Sequence, residues 1–272
     1  MTGTITSDTA RLPVMLTQLR LPTVARLWPT ISETADRDGW PAARTLAALL
    51  EHEIAERAQR RIARHLLEAR LPPGKTLDGF DFAAVSSLSK ARVVALAEGD
   101  AWLAQGTNIL LFGPPGVGKS HLAAALGHAL IDAGHRVLFT RTTDLVQQLQ
   151  AARQELRLAA MIERLDKYHL LVLDDLSYVQ KSQAETSVLF ELISARYERR
   201  SLLITANQPF GAWNDIFPDP AMTVAAIDRL VHHAIILEMN TDSYRRRTAE
   251  ARATARHITL PESEPPLTRG DD

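Results

Sequence analysis

The run Gly113-Pro114-Pro115-Gly116-Val117-Gly118-Lys119-Ser120 has the residue types and spacing of a phosphate-binding loop. Glycines in such a loop let backbone N–H groups curl around phosphate oxygens, and a helix starting at the lysine adds the positive end of its dipole. Lys119 then serves the β- and γ-phosphates, the Ser120 hydroxyl is a Mg²⁺ ligand, and His121 follows in the first helical turn. ATP and Mg²⁺ are the cofactors this chemistry calls for.

Two downstream strand ends supply the groups that a phosphoanhydride cleavage needs. Leu170 to Leu173 is an apolar run ending in Asp174 and Asp175. Asp174 is read as the metal-linked carboxylate, directly or through water, and Asp175 as the group that orients or deprotonates the attacking water. The next apolar run, Leu202 to Ala206, ends in Asn207, whose amide can both donate to a phosphate oxygen and accept from water. Asn207 is therefore a candidate γ-phosphate sensor. Arg229, in Asp228-Arg229-Leu230, has two readings: a surface ion pair with Asp228, or an arginine finger acting on a neighbouring subunit's nucleotide.

Other side chains bear on partners. The formal net charge of -1 excludes a globally basic nucleic-acid binder, so any DNA contact must come from local patches. Arg57, Arg60, Arg61 and Arg64 share one helical flank, with Glu53, Glu56 and Glu68 as nearby acids, and phosphate-backbone contact competes there with a plain solvated face. Arg153 and Arg157, with Arg164 and Lys167, form a second candidate surface. The histidines show no metal-ligand spacing, and His232-His233 reads as a surface or packing pair. The tryptophans read as core anchors, and no Gly-x-Ser-x-Gly elbow supports a serine nucleophile. With no cysteine, no membrane-length apolar run and no export-type N-terminus, the expectation is a cytoplasmic protein with no membrane partner.

The elements that must position these groups are legible in outline. Residues 12 to 70 read as helical, with one helix from Leu12 and another carrying Pro41 at its first position and running towards Arg70. In the latter, Ile54, Ala58, Ile62, Leu66 and Ala69 predict one apolar stripe beside the arginines. Pro72-Pro73-Gly74 ends this part, and Thr76 to Phe82 reads as a linker able to pack an aromatic anchor onto the next domain. Beyond Gly106, apolar runs at 109–112, 136–140, 170–174, 202–206 and 235–239 alternate with helical segments, which implies an α/β fold with a parallel sheet covered by helices on both faces. The expected division is a small all-helical N-terminal domain over 1–75, an ATPase domain over 76–257 and a disordered tail over 258–272.

From about residue 12 to residue 250 the sequence resembles the IstB-like helper ATPases of bacterial insertion sequences, relatives of the DnaC-type helicase loaders in the AAA+ superfamily. The resemblance rests on Lys75 to Phe82, the phosphate loop and its His121-Leu122-Ala123 continuation, Arg196-Tyr197-Glu198-Arg199, Thr205-Ala206-Asn207, Asp228 to His233 and Ser243-Tyr244-Arg245. It implies a P-loop AAA+ domain in a homo-oligomer that binds double-stranded DNA and recruits and stimulates the transposase of the same element. By the same resemblance, Arg229 matches the finger-bearing segment and Arg245 a second sensor arginine that contacts nucleotide. Two departures stand out. The family usually has Asp-Glu where this chain has Asp174-Asp175, one methylene shorter at the expected base, and Asn240 to Ser243 lacks a glycine common before Ser-Tyr-Arg. A helicase loader would share the nucleotide residues and differ in its N-terminal half. A small-molecule kinase would need a lid and an acceptor pocket, and a non-hydrolysing switch would dispense with Asp175.

Overall fold

In the computed structural model the described residues are 2–98, 100–176, 182–208, 213 and 219–240. The chain divides into two compact units, one up to Glu68 and one from Ala69 onward. Arg245 and the tail over 258–272 lie outside the described residues.

The first unit holds three helices, α1 (Thr2–Gln18), α2 (Pro22–Asp38) and α3 (Ala42–Ala69). Proline at the first position presets the backbone of α2 without losing a hydrogen bond, and Gly39, at φ 63°, ends it by returning its N–H to the Ala35 carbonyl. Sequence reading leaves α2 unresolved because Pro22, Pro29 and its polar residues break the apolar signal. Pro41 stands one place before α3 rather than inside it, and its carbonyl accepts from the Arg44 and Thr45 amides.

The expected apolar stripe of α3 is only in part its buried face: Ala69 is buried and Ala58 and Ile62 partly so, but the rest is not. Ile54 is 67% exposed and Leu66 45%, whereas Glu53 and His65 are buried. The reason lies at the start of α2, where first-turn amides have no partner within their own helix. Glu53 accepts hydrogen bonds from the amides of Thr23 at 2.8 Å and Val24 at 3.2 Å, capping α2 from across the unit. Burial pushes the Glu53 carboxyl up, but the bonds from Arg57, Val24 and Thr23 outweigh it, and its pKa ends below the ordinary 4.5.

The second unit is built on five parallel strands: β1 (Asn108–Phe112), β2 (Val137–Arg141), β3 (Leu170–Asp174), β4 (Ser201–Ala206) and β5 (Ala234–Glu238). Their spatial order is β2-β3-β4-β1-β5. Register runs Ile109 beside Leu203 and Ile235, and Val172 beside Leu203. Parallel strands buried on both faces need continuous apolar runs, which is why the sequence marks all five. Alternate residues serve alternate faces. Leu110, Phe112, Leu171, Leu173, Leu202 and Ile204 join a core with α7 (Thr142–Gln154), α8 (Leu158–Asp166), α9 (Gln183–Arg196) and α10 (Pro220–Val231). On the other face α6 (Lys119–Asp132) crosses β1 to β4 and carries α4 (Lys90–Glu98) on its back. A short helix α5 (Asp100–Ala104) leads into β1.

The segment before α4 lies along α6. The Pro72 and Thr76 carbonyls meet the Nε2 atoms of His128 and His121, and Phe80, 8% exposed, is the aromatic anchor, edge-on to Phe82 and His121. Arg196, 1% exposed, ties the end of α8 to the starts of β3 and β4 by donating to the carbonyls of Leu165, Tyr168 and Ser201 at 2.9 to 3.0 Å. Burial pushes its pKa down to about 10. Among the described residues no helix is long and apolar enough to cross a membrane.

Candidate nucleotide-binding site

The loop from Gly113 to Gly118 joins β1 to α6 at the edge where the parallel strands end. In open parallel sheets this edge is where ligands bind, because loops and helix N-termini converge there. A Cβ on Gly113, at φ 152°, would lie 2.5 Å from the Met239 carbonyl oxygen, so the end of β5 leaves no room for a side chain. Gly118, at φ 104°, caps α6, and a Cβ there would press on the Phe80 ring at 3.1 Å. Val117 is buried and fastens the loop, while Pro114 and Pro115 are exposed and Gly116 is partly so. The loop backbone is thus held open as a cradle that only glycines permit.

Lys119 is 7% exposed, and its ammonium donates to Gly113 O at 2.7 Å, Pro114 O at 2.9 Å and Asn207 Oδ1 at 2.8 Å. The Asn207 amide in turn donates to Asp175 Oδ1 at 3.3 Å. Asp175 sits in the left-handed region at φ 63°, fixed by its N–H to Thr205 Oγ1 at 2.8 Å. The same Thr205 hydroxyl donates to Asp174 Oδ1 at 2.7 Å. Lys119, Asn207, Asp175, Thr205 and Asp174 therefore form one hydrogen-bonded path across the adjacent strand ends of β1, β4 and β3. Ser120 is half-buried in the first turn of α6, and His121 is held by Thr76 and Phe80.

Thr205 carries no role in the sequence reading, although it bonds both acids; a threonine in an apolar strand next to Asn207 was the available signal. Thr142, whose hydroxyl donates to the Asp174 carbonyl at 3.0 Å, is a second such residue.

Arg229 is elsewhere. It lies in the last turn of α10, which leads to the start of β5, at the sheet edge opposite the loop of its own chain. Its guanidinium lies 4.9 Å from the Phe190 ring centroid and donates to Ala225 O at 3.0 Å, and among the described residues no ion pair joins it to Asp228. In the first unit, Arg57 pairs with Glu53 at 2.8 Å and Arg60 reaches Glu53 at 3.6 Å and Thr23 Oγ1 at 3.1 Å, while Arg61 and Arg64 are exposed. Arg153 pairs with Glu191 and bonds Ser187, and Arg157 pairs with Glu155.

Comparison with known proteins places this geometry in a family. The family model for IstB-like ATP binding proteins matches residues 14–252. A Sinorhizobium fredii protein named for an insertion sequence and for ATP binding is 71% identical over 90% of this chain and 82% of its own length. A protein of Pseudomonas aeruginosa, named for insertion sequence IS21 and ATP binding, is 35% identical over 95% of this chain and 97% of its own. Among solved structures, AMPPCP-bound DnaA from Aquifex aeolicus covers 71% of this chain and 59% of that one, with TM-score 0.53 and 18% identity. Domain III of DnaA from Thermotoga maritima covers 71% and 79%, with TM-score 0.53 and 20% identity. These structural likenesses show the fold, an AAA+ domain, and the sequence relatives show more: the chain belongs to the IstB-like ATP-binding proteins of insertion sequences.

Proposed function

We propose that the protein is a Mg²⁺-dependent ATPase that assembles as a homo-oligomer on double-stranded DNA and recruits and stimulates the transposase of its insertion sequence. The observation that carries the enzymatic part is the path from Lys119 through Asn207, Asp175 and Thr205 to Asp174. It links a phosphate-binding cradle to a carboxylate pair and an amide through three side-chain hydrogen bonds and the Asp175 backbone N–H.

The residues fit the expected cofactors. The Ser120 hydroxyl and the Asp174 carboxylate offer the hard oxygen donors that Mg²⁺ prefers, and the glycine cradle offers backbone N–H groups. Bound Mg²⁺ supplies neutralisation of phosphate charge. Lys119 contributes a buried cation whose oxygen partners can be exchanged for phosphate oxygens. The Thr205 bond orients Asp174. Asp175 offers a carboxylate that accepts a proton from water, with the Asn207 amide positioning the partners. Arg229 is assigned to a neighbouring subunit's nucleotide, since the length of the strands separates it from its own loop. The exposed Arg61 and Arg64, beside Arg57 and Arg60, are assigned to DNA phosphates, and the insertion-sequence relatives motivate the transposase partner.

Hydrolysis, duplex binding and particle size measured together with ATP, ADP and no nucleotide test the whole reading. Expected are Mg²⁺-dependent phosphate release and larger DNA-bound particles with ATP than with ADP, both lost in Lys119→Ala. Unchanged ATP affinity in Lys119→Ala would overturn the site; ATP turnover without any nucleotide-dependent DNA assembly would overturn the transposition role.

A further inference from the structure

Far from the phosphate loop, three metal-type ligands from two elements meet. Glu198 lies in the turn between α9 and β4, and His232 and His233 lie between α10 and β5. Glu198 Oε1 stands 3.6 Å from His232 Nδ1 and 3.5 Å from His233 Nε2. One ligand atom from each residue can be chosen so that all three lie within 4.8 Å of one another. The imidazole centroids are 4.2 Å apart, with the ring planes inclined at 52°.

Backbone contacts hold these ligands in place. Glu198 occupies the left-handed region at φ 56°, uncommon for a glutamate. Its turn is pressed against Gly106, where an added Cβ would come within 2.9 Å of the Glu198 carbonyl carbon and the Arg199 nitrogen. The His233 carbonyl accepts from the Asn108 amide at 2.7 Å, which ties the histidine pair to the start of β1. The site is therefore built on rigid turns rather than on a free loop, which favours a fixed ligand geometry.

We propose that Glu198, His232 and His233 bind one divalent transition-metal ion of the zinc class. Two imidazole nitrogens and one carboxylate oxygen suit Zn²⁺ and its Irving–Williams neighbours and not Mg²⁺, which takes oxygen donors in an octahedron. At Zn–N and Zn–O bonds of about 2.0 to 2.2 Å, tetrahedral neighbours stand about 3.3 Å apart. The 3.5 and 3.6 Å separations from Glu198 need only a small contraction, and the 4.8 Å limit on the whole set leaves the rest to side-chain rotation. All three side chains are about half exposed, so solvent can fill the remaining coordination positions. The Tyr197 hydroxyl, 2.8 Å from His232 Nδ1 and also hydrogen-bonded to Glu198, occupies the same corner and is the group an ion displaces there. The bound ion joins the turn after α9 to the end of α10, three residues beyond Arg229, and so braces the helix that presents that arginine. Neither histidine belongs to the nucleotide site, and the proposal stands whether or not ATP is hydrolysed.

The test uses the full chain without an affinity tag, stripped with chelator, and Zn²⁺ alone titrated against a chromophoric competitor, with elemental analysis after dialysis. Expected is one Zn²⁺ per chain, with affinity reduced at least about tenfold in Glu198→Gln and more in His232→Ala/His233→Ala, and unchanged in His135→Ala. At a free Zn²⁺ concentration of about 100 times Kd, the Tm of the parent should rise by about 5–10 °C, and that of the double variant should not. Circular dichroism verifies that each variant is folded, and Glu198→Gln keeps side-chain shape if the double variant is not. No Zn²⁺ uptake at micromolar concentration, uptake unaffected in folded variants, or an equal Tm rise with Mg²⁺ would each overturn the site.

Discussion

A hydroxyl that both accepts from one backbone amide and donates to a carboxylate is worth more than either bond alone, because it fixes two groups relative to each other. Thr205 does this for Asp174 and Asp175. Thr205→Val keeps the shape, leaves the Asp175 amide without that acceptor and frees Asp174 to turn. Urea unfolding should show a loss of about 1–3 kcal/mol, and ATP hydrolysis should fall about 10–100-fold, as for other groups that orient a metal ligand. A parental hydrolysis rate in this variant would remove Thr205 from the machinery. Asp175→Asn tests the neighbouring acid: ATP binding should persist while turnover drops by about 10²–10⁴. Turnover at the parental rate would mean that Asp175 does not activate water, and that the residue serves a nucleotide-dependent switch instead.

At the scale of elements, the four arginines on the flank of α3 separate into two pairs. Arg57 and Arg60 are engaged with Glu53, whereas Arg61 and Arg64 face solvent. Arg61→Glu/Arg64→Glu should weaken duplex binding regardless of sequence and flatten its salt dependence with the fold intact. Arg57→Glu/Arg60→Glu should also lower Tm. Equal DNA affinity across a salt titration in the first double variant would return that flank to a solvated face. Glu53 itself makes the unit acid-sensitive. Its folded pKa is depressed below 4.5, so its contribution is present above that value and is lost as pH falls through the folded pKa. Thermal melts from pH 7 to pH 3 should show a loss below about pH 4.5 that Glu53→Gln diminishes; identical pH profiles would refute the role. The same helix shows where the sequence misleads. Its apolar repeat at Ile54 and Leu66 follows helical periodicity faithfully, yet the position that decides the packing is an acid paired with amides on another helix. The five strands and the phosphate loop were legible because burial on two faces and a glycine-rich turn leave local signatures. Thr205 and the meeting of Glu198 with His232 and His233 were not, since those contacts exist only once distant segments fold together.

At the scale of the whole molecule, the placement of Arg229 separates a shared active site from a self-contained one. Arg229→Ala should bind ATP almost normally and lose DNA-stimulated hydrolysis. Mixing it with Lys119→Ala should restore part of the activity, because one subunit then supplies the finger and the other an intact pocket. A mixture that stays inactive while both variants still form oligomers, or full activity of Arg229→Ala alone, would count against a finger acting between subunits. The close approach of Gly113 to the Met239 carbonyl bears on how such subunits communicate. With no side chain on Gly113, the loop and the end of β5 lie so close that a Cβ would not fit between them, like meshed gear teeth through which a shift of one can reach the other. Because β5 continues from α10, a neighbour gripping Arg229 as proposed would pull on a train that ends at the phosphate loop. Coupling is reciprocal, so under the proposed trans role of Arg229 the loop's grip on nucleotide would also be a force gauge for whether the next subunit is in place.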